Sequence, residues 1–138
     1  MAALYRLLER PPTSAEYRSL ISAVGWAPYT NFEAADAALA HSLYHVVALH
    51  EDAVIGMARV VGDGAMFFYI QDVVVTPVHQ GRGVGTLLLE RVMAYLKGAA
   101  PEKAFIGLFA AEGTLPYYAR FGFAVRMGLT GLFRNAPG

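Results

Sequence analysis

Gly81, Gly83 and Gly85 alternate with Arg82 and Val84, and Thr86 follows at once, ahead of the apolar run Leu-Leu-Leu-Glu-Arg-Val-Met. A β-branched stretch, Val73-Val-Val-Thr76, ends at Pro77 just upstream. Glycines in such a loop permit positive φ and let a ligand approach the backbone closely. Where the loop opens a helix, successive N–H groups converge and the helix dipole favours negative charge. The chemistry of this segment is anion binding, and the expected anion is a pyrophosphate. Metal chemistry is not expected. There is no cysteine, and His41 and His45, although spaced i, i+4, fall on either side of an expected helix-to-strand change. His79 reads as a solvated turn residue within reach of a phosphate.

The elements that must position this loop follow from capping and periodicity. A short strand is expected over 4–8, stopped by Pro11-Pro12. Thr13-Ser-Ala-Glu16 has the form of a capping box and predicts a helix through about Val24, broken by Gly25-Trp-Ala-Pro28. Asn31 can cap a second, alanine-rich helix. Strands are predicted over 43–50 and 53–61, joined as a hairpin at Glu51-Asp52, and over 66–75 after the turn Gly62-Asp-Gly64. The near-continuous apolarity of 66–75 predicts a central strand buried on both faces. An amphipathic helix over 83–97, a strand over 104–110, a short helix over 115–121 and a last strand over 123–127 complete the order. The fold class is α/β of the α+β type, in one domain spanning 1–138.

Bulk composition bounds the partners. The 138 residues are 56% apolar and only 16% charged, which excludes a disordered or solvating segment. Eleven basic residues balance eleven acidic ones, so there is no basic stripe for nucleic acid, and weak colloidal repulsion permits self-association. No apolar run reaches the ~18 residues of a membrane span. The opening Met-Ala-Ala-Leu-Tyr-Arg has no basic region before an apolar core, so no signal peptide is expected. A cytoplasmic location is the expectation.

A dinucleotide-binding fold would place its glycine loop after the first strand, with an acidic residue ~20 positions on. Here the loop follows about the fourth strand, its spacing is not G-x-G-x-x-G, and no G-K-[ST] is present. Gln80-Gly-Arg-Gly83-Val-Gly85 instead closely resembles the Q/R-x-x-G-x-G/A signature of the GCN5-related N-acetyltransferase (GNAT) superfamily. Tyr117-Tyr118-Ala-Arg-Phe-Gly122-Phe123 resembles that family's F-Y-x-x-x-G-F motif, in the right order and with the right helix and strand between. The resemblance implies a mixed, mostly antiparallel sheet of six to seven strands flanked by about four helices and splayed at the central strands. It implies acetyl-coenzyme A as cosubstrate and no metal. The loop would wrap the pyrophosphate with backbone donors from Arg82, Gly83, Val84, Gly85 and Thr86, and Thr86 would add its hydroxyl. Backbone groups of Val73, Val74 and Val75 would pair with the pantetheine arm like an extra strand, which requires the sheet to splay after Val75.

Acetyl transfer to an amine needs a neutral nitrogen, a polarised thioester carbonyl and a proton for the leaving thiolate. The Val74 N–H is the expected oxyanion-type donor. Tyr118, four residues before Gly122, occupies the family's general-acid position, and its ordinary pKa of about 10 suits a departing thiol. Tyr117 reads as packing. For the base, Asp72 has two readings: a desolvated carboxylate that takes a proton directly or through water, or an acid paired with a nearby arginine or a backbone amide. Gln71 cannot be a base, Glu112 is a weaker candidate, and the amine can also arrive neutral. Trp26, Tyr29, Phe32, Tyr44, Phe67 and Tyr69 could line an acceptor pocket or simply pack. The expected activity is N-acetylation of a primary amine, of a small molecule first and of a protein or peptide second. The competing class is an acyl-CoA-binding sensor without catalysis. A homodimer through the apolar C-terminal segment is expected.

Overall fold

Thr13 opens the first helix by a reciprocal cap. Its hydroxyl accepts from the Glu16 N–H at 3.1 Å, and the Glu16 carboxylate accepts from the Thr13 N–H at 2.8 Å. In this computed structural model, which describes residues 4–137, a short strand β1 (Arg6–Leu8) precedes that helix, α1 (Ser14–Ala23). After the Gly25 break come two 3-10 turns, Ala27–Tyr29 and Phe32–Ala34, and then α2 (Ala35–Ala40). Asn31 does cap, but it caps the second 3-10 turn, accepting from the Glu33 N–H at 3.1 Å.

Strands β2 (Tyr44–His50) and β3 (Ala53–Gly62) form the expected hairpin, with Glu51 and Asp52 both at positive φ, 49° and 66°. Strand β4 (Phe67–Val75) follows, and α3 (Val84–Ala99) crosses over to β5 (Phe105–Gly107), which pairs with β4 in parallel. A short α4 (Leu115–Ala119) comes last. The sheet order is β1-β2-β3-β4-β5, antiparallel except at that final pair. Helices cover both faces. On one, α3 sets Val84, Leu88, Leu89, Val92 and Leu96 against Val46, Ala58, Val60, Phe68 and Ile70. On the other, Tyr17, Leu20, Ile21 and Leu39 of α1 and α2 pack on Val47, Met57 and Val74.

Three expectations are corrected. Among the described residues the sheet has five strands, not six to seven, because 123–127 does not pair. With β5 only three residues long, that segment has no adjoining edge, and Val125 and Met127 are left exposed. Strand β4 lies next to the edge strand rather than at the centre, and its apolarity is not continuous burial: Phe68, Ile70, Asp72 and Val74 are buried, and their odd-numbered neighbours are exposed or only partly buried. Finally, the sheet parts earlier than Val75, since β4–β5 pairing ends at Tyr69 opposite Gly107. The strand edge beyond Tyr69 is left without β5 as a partner.

Strand β4 also contains a bulge that periodicity does not reveal. Its register against β3 runs from Met57 opposite Val74 to Arg59 opposite Gln71, one residue more on β4 than on β3. Asp72 sits in the extra step at φ 55°, a left-handed conformation that aspartate tolerates better than most residues. The bulge exchanges faces. Phe68 and Ile70 belong to the α3 core, whereas Val74 belongs to the α1 core. In a regular strand, all three would share a face.

Candidate active site

The parted edge of β4, the loop that follows it and the first turn of α3 enclose a cleft of about 600 Å³. It gathers Val73, Val74 and Val75 with Gln80, Gly81, Gly83, Val84, Gly85, Thr86 and Tyr118. Val74 has its side chain in the core, 2% exposed, while it borders the cleft. Its N–H, the expected donor, is not the free one: Val74 lies opposite Met57 in phase with the Thr76 N–H that donates to the Ile55 carbonyl at 2.9 Å, so it turns to β3, and the open edge is left to Val73 and Val75. Arg82 and Asp72 do not line the cleft; Arg82 is exposed and Asp72 is buried behind the strand.

Helix α3 begins at Gly83, φ 85°, with no side chain capping its first turn and no acidic residue in it. Its leading N–H groups are therefore free to meet an anion. Gly81, φ 74°, and Gly83 need glycine for the backbone angle, since a Cβ on either would meet nothing within 4 Å. Gly85 is different from the expectation. It is helical, and a Cβ there would lie 3.1 Å from the Tyr117 hydroxyl. Its role is room, not φ. Gln80 turns its side chain back to the strand, its amide donating to the Val75 carbonyl at 2.9 Å.

The two tyrosines of α4 divide the work. Tyr118 lines the 600 Å³ cleft and also a second cavity of about 750 Å³, bounded by Tyr69, β5 and the chain from Gly122 to Gly131. It is the wall between them. Burial, and then Tyr117, push its pKa up, so it is a protonated phenol at neutral pH. The Tyr117 hydroxyl is buried without a hydrogen-bond partner among the described residues, and burial raises its pKa too.

Sequence reasoning missed Val24, Ala111 and Thr114 as parts of the first cleft, which also includes Trp26, read above as an acceptor-pocket or packing residue. These come from two turns distant in sequence, and nothing local marks where they fold. The other aromatics scatter. Tyr69 lines the second cavity, Phe32 packs on Tyr17, Tyr44 stacks on Tyr95 at 4.6 Å, and Tyr29 is exposed. Glu112 is exposed outside both cavities. His79, rather than being free in solvent, is hydrogen-bonded to the Tyr5 hydroxyl at 2.9 Å and packs against His50. Burial lowers its pKa, and His50 and Arg82 add to the shift. His41 and His45 each bond a carbonyl of α2, those of Ala37 and Leu39, at 2.8 Å.

Asp72 is the one buried charged side chain among the described residues. Its Oδ2 accepts from Arg59 Nε at 2.8 Å and from the Tyr17 hydroxyl at 2.9 Å, and Arg59 also donates to Ser42 Oγ at 3.0 Å. Burial and the Asp72 charge push Tyr17 up to about 12. Among the described residues no group of three or more His, Cys, Asp or Glu is placed to hold a metal, and no helix is long and apolar enough to cross a membrane.

The sequence profile of the acetyltransferase (GNAT) family matches residues 1–123. A histone acetyltransferase of Glycine max is 33% identical over 131 residues, 86% of this chain and 55% of its own length. The chain spans between 34% and 62% of the first curated relatives it matches. A probable acetyltransferase of unknown function from meticillin-resistant Staphylococcus aureus superposes with a TM-score of 0.88 at 31% identity, covering 96% of this chain and 99% of that one. A GNAT acetyltransferase of Brucella melitensis, solved in complex with acetyl-CoA, gives a TM-score of 0.67 at 25% identity, over 88% and 83% of the two chains. Profile, sequence relatives and fold agree with the cleft: the chain belongs to the GNAT acetyltransferase family.

Proposed function

We propose that the chain is an acetyl-CoA-dependent N-acetyltransferase that acetylates a primary amine of a small molecule by direct attack. The observation that carries this reading is one cleft formed by an unpaired strand edge and an uncapped helix N-terminus, with Tyr118 at its inner end. The α3 N-terminus, with Gly81, Gly83 and Thr86, would hold the pyrophosphate, and the β4 edge at Val73–Val75 would pair with the pantetheine amides. That arrangement sets the thioester near the Val73 N–H at the open edge, which would polarise its carbonyl. The amine enters from the second cavity, whose wall is Tyr118. The N–C bond forms, the C–S bond breaks, Tyr118 gives its proton to the leaving sulfur, and the nitrogen's proton passes to solvent.

The second cavity is lined mainly by apolar and aromatic residues, with Arg126 as its one charged side chain, which suits an amine with an apolar body. A cytoplasmic setting fits a chain without cysteine. Met127, Leu132 and Phe133, each more than four-fifths exposed, favour a homodimer through the C-terminal segment, which equilibrium sedimentation tests.

The primary experiment titrates acetyl-CoA, CoA and NAD into the protein and then follows thiol release from acetyl-CoA with a panel of amines, polyamines, amino acids and peptides. Acetyl-CoA raises the melting temperature, and at least one small amine releases thiol. No stabilisation at saturating acetyl-CoA removes the acetyltransferase reading. Binding with no turnover across the panel selects the sensor reading, and turnover with peptides alone selects a protein acceptor.

A further inference from the structure

The β4 bulge brings a strained backbone, a buried charge and the cleft to one place. Asp72 holds φ 55° immediately before Val73 and Val74, which border the cleft. A non-glycine residue in the left-handed region persists only where its surroundings over-determine it. Here two donors converge on a single carboxylate oxygen, Arg59 Nε from β3 at 2.8 Å and the Tyr17 hydroxyl from α1 at 2.9 Å. Arg59 is itself anchored by Ser42 beyond the end of α2. The Asp72 and Arg59 side chains are only 7% and 13% exposed, so neither contact is diluted by water.

We propose that Asp72 is a positioning residue, clamped by Arg59 and Tyr17, whose function is to hold the β4 bulge and so aim the Val73 N–H into the cleft. The carboxylate faces α1 and β3, on the far side of the strand from α3, and it does not line the cleft. A proton acceptor for the amine would have to reach the cleft. A clamp has to sit where Asp72 sits. The same network ties α1 and the end of α2 to the strand that carries the donor N–H.

The inference rests on the acetyl-CoA reading and is tested without knowing the acceptor. Acetyl-CoA has a thioester carbonyl for the Val73 N–H to meet, whereas CoA has none. The ratio of their dissociation constants therefore reports the aim of the bulge. Calorimetric titration of the wild type is expected to show acetyl-CoA bound roughly two- to ten-fold tighter, the worth of one hydrogen bond. Asp72→Ala brings the ratio to about one while CoA affinity moves less. Asp72→Asn restores most of the ratio, since its amide oxygen accepts the same two hydrogen bonds and asparagine tolerates positive φ. Tyr17→Phe, which keeps the ion pair, lowers the ratio part-way and serves if Asp72→Ala does not fold. A ratio unchanged in Asp72→Ala or Tyr17→Phe, or lost as fully in Asp72→Asn as in Asp72→Ala, overturns the clamp. A wild type that binds both compounds equally also overturns it but leaves the acetyl-CoA reading standing. A wild type that binds neither overturns that reading, and the clamp with it.

Discussion

The Gln80 side-chain amide donates to the Val75 carbonyl at 2.9 Å, closing a loop from the end of β4 to the start of the glycine segment. Between them Pro77–His79 makes a 3-10 turn whose last N–H–carbonyl contact is Gln80 to Pro77 at 3.2 Å. The glutamine of the motif thus acts on the loop's geometry: it sets where Gly81 begins relative to the strand edge.

Gln80→Leu removes that tie from an exposed position. Acetyl-CoA affinity is expected to fall roughly three- to ten-fold, with stability lowered by no more than about 1 kcal/mol. Calorimetric titration and thermal unfolding measure the two separately. Equal affinity in the variant would show that the loop keeps its shape without Gln80.

Tyr118→Phe removes the proposed acid while preserving the wall between the two cavities. We expect kcat to fall ~10²–10⁴-fold and the dissociation constant of acetyl-CoA to stay within about two-fold. Pre-steady-state thiol release reads the first and calorimetry the second. Undiminished turnover would return Tyr118 to packing alone.

The glycines at 83 and 85 differ in kind, and alanine distinguishes them. Gly83→Ala meets no atom but must hold φ 85°, and is expected to cost about 1–2 kcal/mol. Gly85→Ala suits a helix intrinsically but presses its Cβ on the Tyr117 hydroxyl at 3.1 Å. Its cost is therefore relieved by Tyr117→Phe, with a coupling of at least ~0.5 kcal/mol in a double-mutant cycle, whereas Gly83→Ala is additive with the same change. Chemical denaturation of the three single variants, the two double variants and the wild type measures both.

His45 makes the fold sensitive to acid. Its Nε2–H donates to the Leu39 carbonyl at 2.8 Å, and its Nδ1 is buried without a partner among the described residues. Burial lowers its pKa below 6.5, and the Arg59 charge acts in the same direction. The unfolded chain therefore binds this proton more readily than the folded one. The stabilisation from a neutral His45 is full above about pH 6.5 and is lost as pH falls through the lowered folded value. Melting temperature is expected to decline below about pH 6.5, and His45→Gln to flatten that part of the profile. An identical slope in the variant would assign the acid sensitivity elsewhere.

Where the chain's local chemistry decides the outcome, sequence reasoning succeeds. The Thr13–Glu16 cap, the Glu51–Asp52 hairpin turn and the start of α3 in the glycine loop each depend on residues within a few positions of one another. Val73–Val75, the loop residues Gln80, Gly81, Gly83 and Thr86, and Tyr118 meet in one cleft because a strand, a crossover helix and a return to the same sheet edge leave few other routes. The segment 123–127 failed because strand formation needs a partner edge, which propensity does not supply.

The sequence by itself determined the glycine loop at the start of a helix and the helices and strands that carry it, since these follow from backbone conformation and periodicity. Only the tertiary structure decided what Asp72, Gly85 and Gln80 do. Arg59 and Tyr17 reach Asp72 from 13 and 55 residues away, the Tyr117 hydroxyl fills the space that Gly85 leaves, and Gln80 is spent on the strand behind it. A side chain's partner is fixed by which elements pack against it, and that packing also places the bulge that turns β4 from one core to the other.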